Sequence, residues 1–234
     1  MVNTTEIKVV QKLNCDKNSM KYIEYPKIKF VNLLELEQAF KDSDLLGLTK
    51  KEFDEVWCCR SLLVHLILFY KKRFLLGKIM DENNPFDIII VDEDILKNAN
   101  EKNRYDITGA LPIQLKTIRK QNIEAKIPVQ EWIKMIEKIT EKIDKTTKIA
   151  PHGVLHLHNI QPFEETGVEL ITYLKNIKIP TKYPFTQVLL SILIDDENDP
   201  SKDQTVTWQL YPTFTSIGLI TDEDKEKLRD IYNN

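Results

Sequence analysis

The sequence predicts an α/β fold in which a mixed central sheet is covered by helices on both faces. Short apolar, β-branched runs such as residues 86–91 alternate along the chain with amphipathic stretches of helical period such as residues 129–143. Strands that are separated by helices favour a sheet with helices on each face. The 234 residues are 42% apolar and 29% charged, a composition typical of folded globular proteins.

Two helices are predicted ahead of the first strand. Residues 32–40 carry apolar side chains at helical spacing and are expected to form a short helix. Thr49 is predicted to N-cap a longer helix over 49–72, because Glu52 stands three residues later and completes a capping box. Residues 74–80 then form either a strand or a continuation of that helix.

The rest of the chain is predicted to alternate strands and helices. A polar turn precedes the buried strand at 86–91, and residues 92–109 are expected to be a long loop or an extended hairpin. Pro128 occupies the first turn of the clearest helix, whose apolar residues form one stripe to residue 143. The remaining predicted elements are strands at 112–118, 153–158, 187–194 and 205–211, and helices at 163–174 and 222–232.

Domain organisation and compartment follow from what the chain lacks. No shift in composition divides it, so we expect an N-terminal extension over 1–48 and a single domain with a C-terminal elaboration over 49–234. Three cysteines, two of them adjacent, do not predict a disulfide framework. No apolar stretch is long enough to span a bilayer, and the first residues lack the pattern of a signal peptide. The expected location is therefore cytoplasmic, with no membrane partner.

The net charge of −3 does not by itself indicate a nucleic-acid-binding protein. The charges are unevenly distributed, because residues 111–150 hold nine Lys or Arg and five Asp or Glu. A local basic stretch of this kind can bind phosphates, and Lys120 and Lys126 are our candidates for such contacts. The alternative is an ordinary solvated helix surface.

A polar pattern in two apolar strands carries the chemical argument. Gln114 and Lys116 are two residues apart on a predicted strand, so their side chains share a face. A lysine in an apolar strand is costly unless a carboxylate neutralises it. Asp87, at the start of the preceding Ile-rich strand, is the expected partner. An acid, an amide and a lysine that converge at a sheet edge can bind a divalent cation and hold a water beside it.

This pattern resembles the PD-(D/E)XK nuclease superfamily, in the Gln-x-Lys variant of the Mrr-type restriction endonucleases. The matching segments are Pro85-Phe86-Asp87, then Gln114-Leu115-Lys116, then a helix, then a strand at Val154-Leu155-His156-Leu157-His158. The resemblance covers roughly residues 50–160. It implies a restriction-endonuclease-like mixed sheet flanked by helices, and a metal-dependent DNA endonuclease that uses Mg²⁺ or Mn²⁺ and acts on DNA.

The resemblance also implies roles for individual residues. Asp87 is the expected bridging metal ligand, Gln114 offers its side-chain oxygen, and the carbonyl of Leu115 adds another. Lys116 is expected to orient the attacking water or stabilise charge on the phosphate. Glu52 or Glu55, with Glu55 favoured, supplies a further acid from the preceding helix. Because the gap between Asp87 and Gln114 is long, three other acids are rivals to Asp87: Asp92, Asp94 and Asp106.

Other interpretations stay open at this point. Asp87 and Lys116 can form an ordinary ion pair, or the same fold can serve as a catalytically inactive binding module in a larger assembly. His156 and His158 share a strand face, so they can bind Zn²⁺ in a His-based metal hydrolase or contact DNA phosphates. Whether the protein forms a homodimer is also left open.

Overall fold

A computed structural model describes most of the chain as a mixed α/β structure with an eight-stranded mixed sheet flanked by helices, so the predicted α/β class is confirmed. The chain divides into two units, one of residues 1–114 with 220–234 and one of residues 115–219. The described residues are 8–13, 21–25, 28–82, 84, 86–99, 104–106, 110–119, 126–146, 153–159, 167–180, 183–194, 204–218 and 221–233.

The large sheet is numbered here in chain order, and its neighbouring strands are hydrogen-bonded. In spatial order its strands are β11 (Thr215–Gly218), β10 (Gln204–Tyr211), β9 (Gln187–Ile194), β8 (Val154–Asn159), β7 (Leu111–Ile118), β5 (Ile88–Asp92), β4 (Phe74–Ile79) and β3 (Ile28–Val31). The pairs β3–β4, β4–β5, β5–β7, β9–β10 and β10–β11 are antiparallel, and β8–β9 is parallel. A second sheet has the order β2 (Lys21–Tyr25), β1 (Lys8–Leu13), β6 (Arg104–Asp106).

Two helices of the first unit begin at capping boxes. Helix α1 (Leu33–Asp42) is N-capped by Asn32, and α2 (Lys50–Cys58) is N-capped by Thr49 with Glu52 in reciprocal contact, as predicted. The predicted single helix over 49–72 is wrong, because the chain turns at Cys59 and a separate helix, α3 (Arg60–Tyr70), follows. The buried Cys59 donates its N–H to the Val56 carbonyl three residues back at 3.1 Å, a bond of the 3₁₀ type that tightens the last turn of α2.

The prediction of a long loop or an extended hairpin over 92–109 is also wrong for the described residues of that segment. The segment contains α4 (Glu93–Ala99) and strand β6. The Asp92 carboxylate accepts the N–H of Asp94 at 2.9 Å, and Glu93 and Asp94 put negative charge in the first turn, where the helix dipole favours it. Strand β3 and helix α1, which precede residue 49, belong to the first unit.

The second unit contains helices α5 (Val129–Thr146) and α6 (Gly167–Leu174), and both were predicted, although residues 163–166 lie outside the described part. Val129, Trp132 and Ile136 on α5 are fully buried. The Trp132 indole N–H donates to the Asn159 side chain on β8 at 2.8 Å. A last helix, α7 (Asp222–Asn233), belongs to the first unit, where Arg73 donates to the carbonyls of its final turn.

Candidate active site

Asp87 forms a corner just before β5. Its N–H donates to the Ile113 carbonyl on β7 at 2.9 Å, while its own carbonyl accepts the N–H of Ile79 on β4 at 3.0 Å. In a regular antiparallel strand, the N–H and C=O of one residue bond the same neighbour. Those of Asp87 bond opposite neighbours, so the chain is kinked here as it is at a bulge. The backbone of Asp87 is therefore held by a strand on each side.

Gln114 follows Ile113 directly on β7. Gln114 and Lys116 are half-buried, while Ile113 and Leu115 are buried, as expected for an alternating strand. Strand β7 passes from the first unit into the second between Gln114 and Leu115. Whether the Lys116 ammonium meets the Asp87 carboxylate stays a prediction.

The rival acids lie elsewhere in the first unit. Asp92 is at the far end of β5, opposite Phe74, and its carboxylate binds the Lys72 ammonium at 3.1 Å. Asp94 is exposed on α4, and Asp106 is on β6 in the small sheet. Of the acids considered from the sequence, Asp87 is the one whose backbone bonds the strand of Gln114.

A lysine that the sequence argument passed over lies at the same corner. Lys78 on β4 is only 7% exposed. Its ammonium is 2.9 Å from a carboxylate oxygen of Glu55 on α2, and it also donates to the Asp87 carbonyl at 3.2 Å. A buried lysine requires such partners, because an unpaired ammonium in a protein interior is strongly unfavourable. The signal was present in the sequence, since Lys78 interrupts the apolar strand at 74–79 just as Lys116 interrupts the later one.

Glu55, predicted as a further catalytic acid, forms ion pairs with two lysines, Lys78 and Lys51. Its other carboxylate oxygen lies 3.8 Å from the exposed Lys51 ammonium, one helical turn earlier. Glu52, the other acid considered on this helix, serves as a cap. Hydrogen bonds from Thr49 hold the pKa of Glu52 below its usual range, so Glu52 stays ionised at the start of α2.

The strand register separates two sets of side chains. Lys78 is directly opposite Ile88, and Ile88 is directly opposite Ile113, so these three side chains share one face of the sheet. Gln114 comes next after Ile113 and therefore points to the other face. The Glu55–Lys78 pair and the Gln114 amide thus lie on opposite faces. Because the chain is kinked at Asp87, the alternation of side chains along β5 does not fix the face to which the Asp87 side chain points.

The pKa of the buried Cys59 thiol is affected by charged groups of the same unit. Burial raises its pKa well above the ordinary value, and negative charge from Cys58, Asp87 and Glu55 raises it further, while Lys78 opposes the rise. Burial likewise raises the pKa of Cys58 to about 12, so neither thiol is a nucleophile at neutral pH.

His156 and His158 both lie on β8, and His156 is bound inside the sheet. The His156 ring nitrogen Nε2 is 2.6 Å from the Ser191 hydroxyl, which is 2.8 Å from the Thr207 hydroxyl, and all three residues are fully buried. This burial removes His156 from the predicted DNA-binding surface. Burial lowers the pKa of His156 to about 3 and that of His158 to about 4, so neither ring supplies positive charge to a phosphate at neutral pH. Of the two lysines proposed to bind phosphates, Lys126 is exposed, and Lys120 lies outside the described residues.

The donor groups fit a hard divalent cation in kind. Asp87, Gln114 and Leu115 would offer a carboxylate, an amide and a carbonyl oxygen, the ligand types that Mg²⁺ takes together with water. Within the described ranges, no cluster of three or more His, Cys, Asp or Glu side chains could hold a metal. That search concerns the Zn²⁺ alternative, which requires several such side chains. It does not test the set of Asp87, Gln114 and Leu115, which contains a single carboxylate.

Comparison with protein-family models, with curated proteins and with solved structures found no match. Across the described part of the chain, no helix combines the length and apolar character needed to cross a bilayer.

Proposed function

We propose that the protein is a divalent-metal-dependent DNA endonuclease of restriction-endonuclease-like fold, with Asp87, Gln114 and Lys116 as its central residues. The observation that supports this most directly is the Asp87 corner, because its hydrogen bond to Ile113 brings the acid beside the strand of the Gln-x-Lys motif. The order α3, β4, β5, α4, β6, β7, α5, β8 keeps a helix before the motif strands and a helix and a strand after them, as the resemblance implies, with α4 and β6 inserted between β5 and β7.

Each residue has a defined task in this proposal. A Mg²⁺ or Mn²⁺ ion, when bound, polarises the phosphoryl oxygen and lowers the pKa of an attacking water. Asp87, Gln114 and the Leu115 carbonyl hold the ion. Lys116 orients the water or stabilises the negative charge that develops on the phosphate. Exposed lysines of the basic stretch, such as Lys126, bind the DNA backbone.

The test is cleavage of supercoiled, linear and single-stranded DNA in Mg²⁺, Mn²⁺ or EDTA. We expect metal-dependent cleavage by the wild type and a loss on the order of 100-fold or more with Asp87→Asn, since that change removes the only carboxylate of the metal site. Asp92→Asn is the matched control, because it makes the same substitution at the opposite end of β5. Equal activity of both variants, or no cleavage of any DNA, would contradict the proposal.

A second candidate function is a catalytically inactive binding module with the same fold. The observation in its favour is the Glu55–Lys78 pair, because an acid of the preceding helix is already neutralised by an internal ammonium. Salt-sensitive binding of duplex DNA without cleavage in any metal would support this candidate over the nuclease.

A further inference from the structure

Two groups bind the Lys78 ammonium at the Asp87 corner, one on helix α2 and one just before strand β5. Glu55 holds it from α2 at 2.9 Å, and the Asp87 carbonyl holds it at 3.2 Å. The side chains of Lys78 and Glu55 are 9% and 19% exposed, so solvent screens this charge less than it screens a surface lysine. A positive charge therefore already resides within a few ångströms of the residue proposed to bind a divalent cation.

Glu55 is poorly arranged to be a ligand of that cation. Its carboxylate is bound to Lys78, which shares a sheet face with Ile88 and Ile113. The Gln114 amide points to the opposite face. A metal ion shared by Asp87 and Gln114 would thus feel the charge of Lys78 through the Asp87 corner, while Glu55 contributes by neutralising that charge.

We infer that Lys78 is a resident counter-cation that weakens divalent-cation binding at Asp87, and that Glu55 is the counter-ion of Lys78 and not a metal ligand. The inference rests on the proposed function, because it concerns the metal of that site. Glu55 is a positioning residue in this account, since it acts on the metal only through Lys78.

The test is a double-mutant cycle on Mn²⁺ affinity, measured by titration calorimetry on the full chain without DNA. Lys78→Met removes the repelling charge and is expected to tighten binding by about tenfold, whereas Glu55→Gln leaves the ammonium unpaired and weakens binding. The double variant E55Q/K78M removes one charge of each sign, so its affinity should return to within about threefold of wild type. If Glu55 were a metal ligand, the double variant would instead bind much more weakly.

Controls establish where the cation binds. Adding Asp87→Asn to each variant should abolish the titration, which locates the ion at the corner. Lys29→Met is the matched lysine control, because Lys29 lies directly opposite Lys78 on β3 but donates to the Leu46 carbonyl. We expect it to change Mn²⁺ affinity less than Lys78→Met does. If Lys78→Met does not fold because Glu55 is left unpaired, the charge-neutral double variant still decides whether Glu55 is a ligand.

The outcomes separate this inference from the proposed function. Mn²⁺ binding by the wild type that Lys78→Met leaves unchanged or weakens would overturn the inference alone. Binding by Lys78→Met but not by the wild type would support the inference and count against an active wild-type nuclease. Absence of binding in all four proteins would overturn both.

Discussion

At the scale of single residues, the side chains proposed to act at Asp87 differ in charge and in their partners. Glu55 and Lys78 are fixed by a short ion pair in a largely buried setting. Gln114 is uncharged, so the metal site proposed here depends on one carboxylate. A second carboxylate at position 114 therefore tests whether that position faces a cation.

Gln114→Glu should tighten Mn²⁺ binding and raise the unfolding temperature in Mn²⁺, because it adds a charged oxygen ligand. If Asp87 and Lys116 form only an ordinary ion pair, the new carboxylate repels Asp87 and Mn²⁺ does not offset the loss of stability. Thermal unfolding with and without Mn²⁺ distinguishes the two cases. Gln130→Glu, an exposed position on α5, is the control for the added charge alone.

We expect the free energy of unfolding to fall in mild acid because of His156. Its pKa is about 3 in the folded protein against an ordinary value of 6.5, so the unfolded chain takes up the proton first as the pH falls. The free energy of unfolding should therefore decrease from pH 6.5 towards pH 3, and His158 adds the same trend down to about 4. Urea unfolding between pH 7.5 and 5, where most carboxyl groups stay ionised, isolates the histidines.

His156→Asn keeps a polar partner for Ser191 and removes the titrating ring. We expect a lower stability at pH 7.5 but a shallower dependence on pH between 6.5 and 5. A slope equal to that of the wild type would mean that His156 does not contribute to the acid sensitivity.

At the scale of elements, the start of α2 could be predicted and the break that ends it could not. The capping box at Thr49 is a local signal, because four consecutive residues contain all its partners. The break at Cys59 has no such signal, because Cys59 makes no side-chain capping bond and only its backbone N–H, bonded to the Val56 carbonyl, marks the place. Strand β3 was missed for a related reason: four residues beside a polar segment carry too little periodicity.

Thr49→Ala should destabilise the first unit by about 1 kcal/mol, the usual cost of losing an N-cap. Urea unfolding measures it. Thr213→Ala, an exposed position between β10 and β11, is the control and should change the free energy of unfolding by less than about 0.5 kcal/mol. Equal effects of the two substitutions would argue against the capping role of Thr49.

At the scale of the whole molecule, the sequence predicted the α/β class and the strand of Gln114 and Lys116, whereas Asp87, predicted within the strand at 86–91, lies just outside it because β5 begins at Ile88. Asp87 precedes β5, and Gln114 and Lys116 lie on β7. The sequence did not predict the Glu55–Lys78 pair, because its partners are 23 residues apart on a helix and a strand whose packing no local pattern encodes. The burial of His156 depends likewise on Ser191 and Thr207, from two later strands.

The central claim is that Lys116 serves chemistry and is not merely a strand-end partner of Asp87. The most direct test is single-turnover DNA cleavage in Mn²⁺ by wild type and Lys116→Ala, with Lys126→Ala as a lysine control on DNA affinity. We expect Lys116→Ala to lower the rate by on the order of 10²–10³ with little change in unfolding temperature, because the ammonium acts mainly on charge in the transition state. A Lys116→Ala protein that cleaves at the wild-type rate, or that loses activity only as it loses folded protein, would contradict the account.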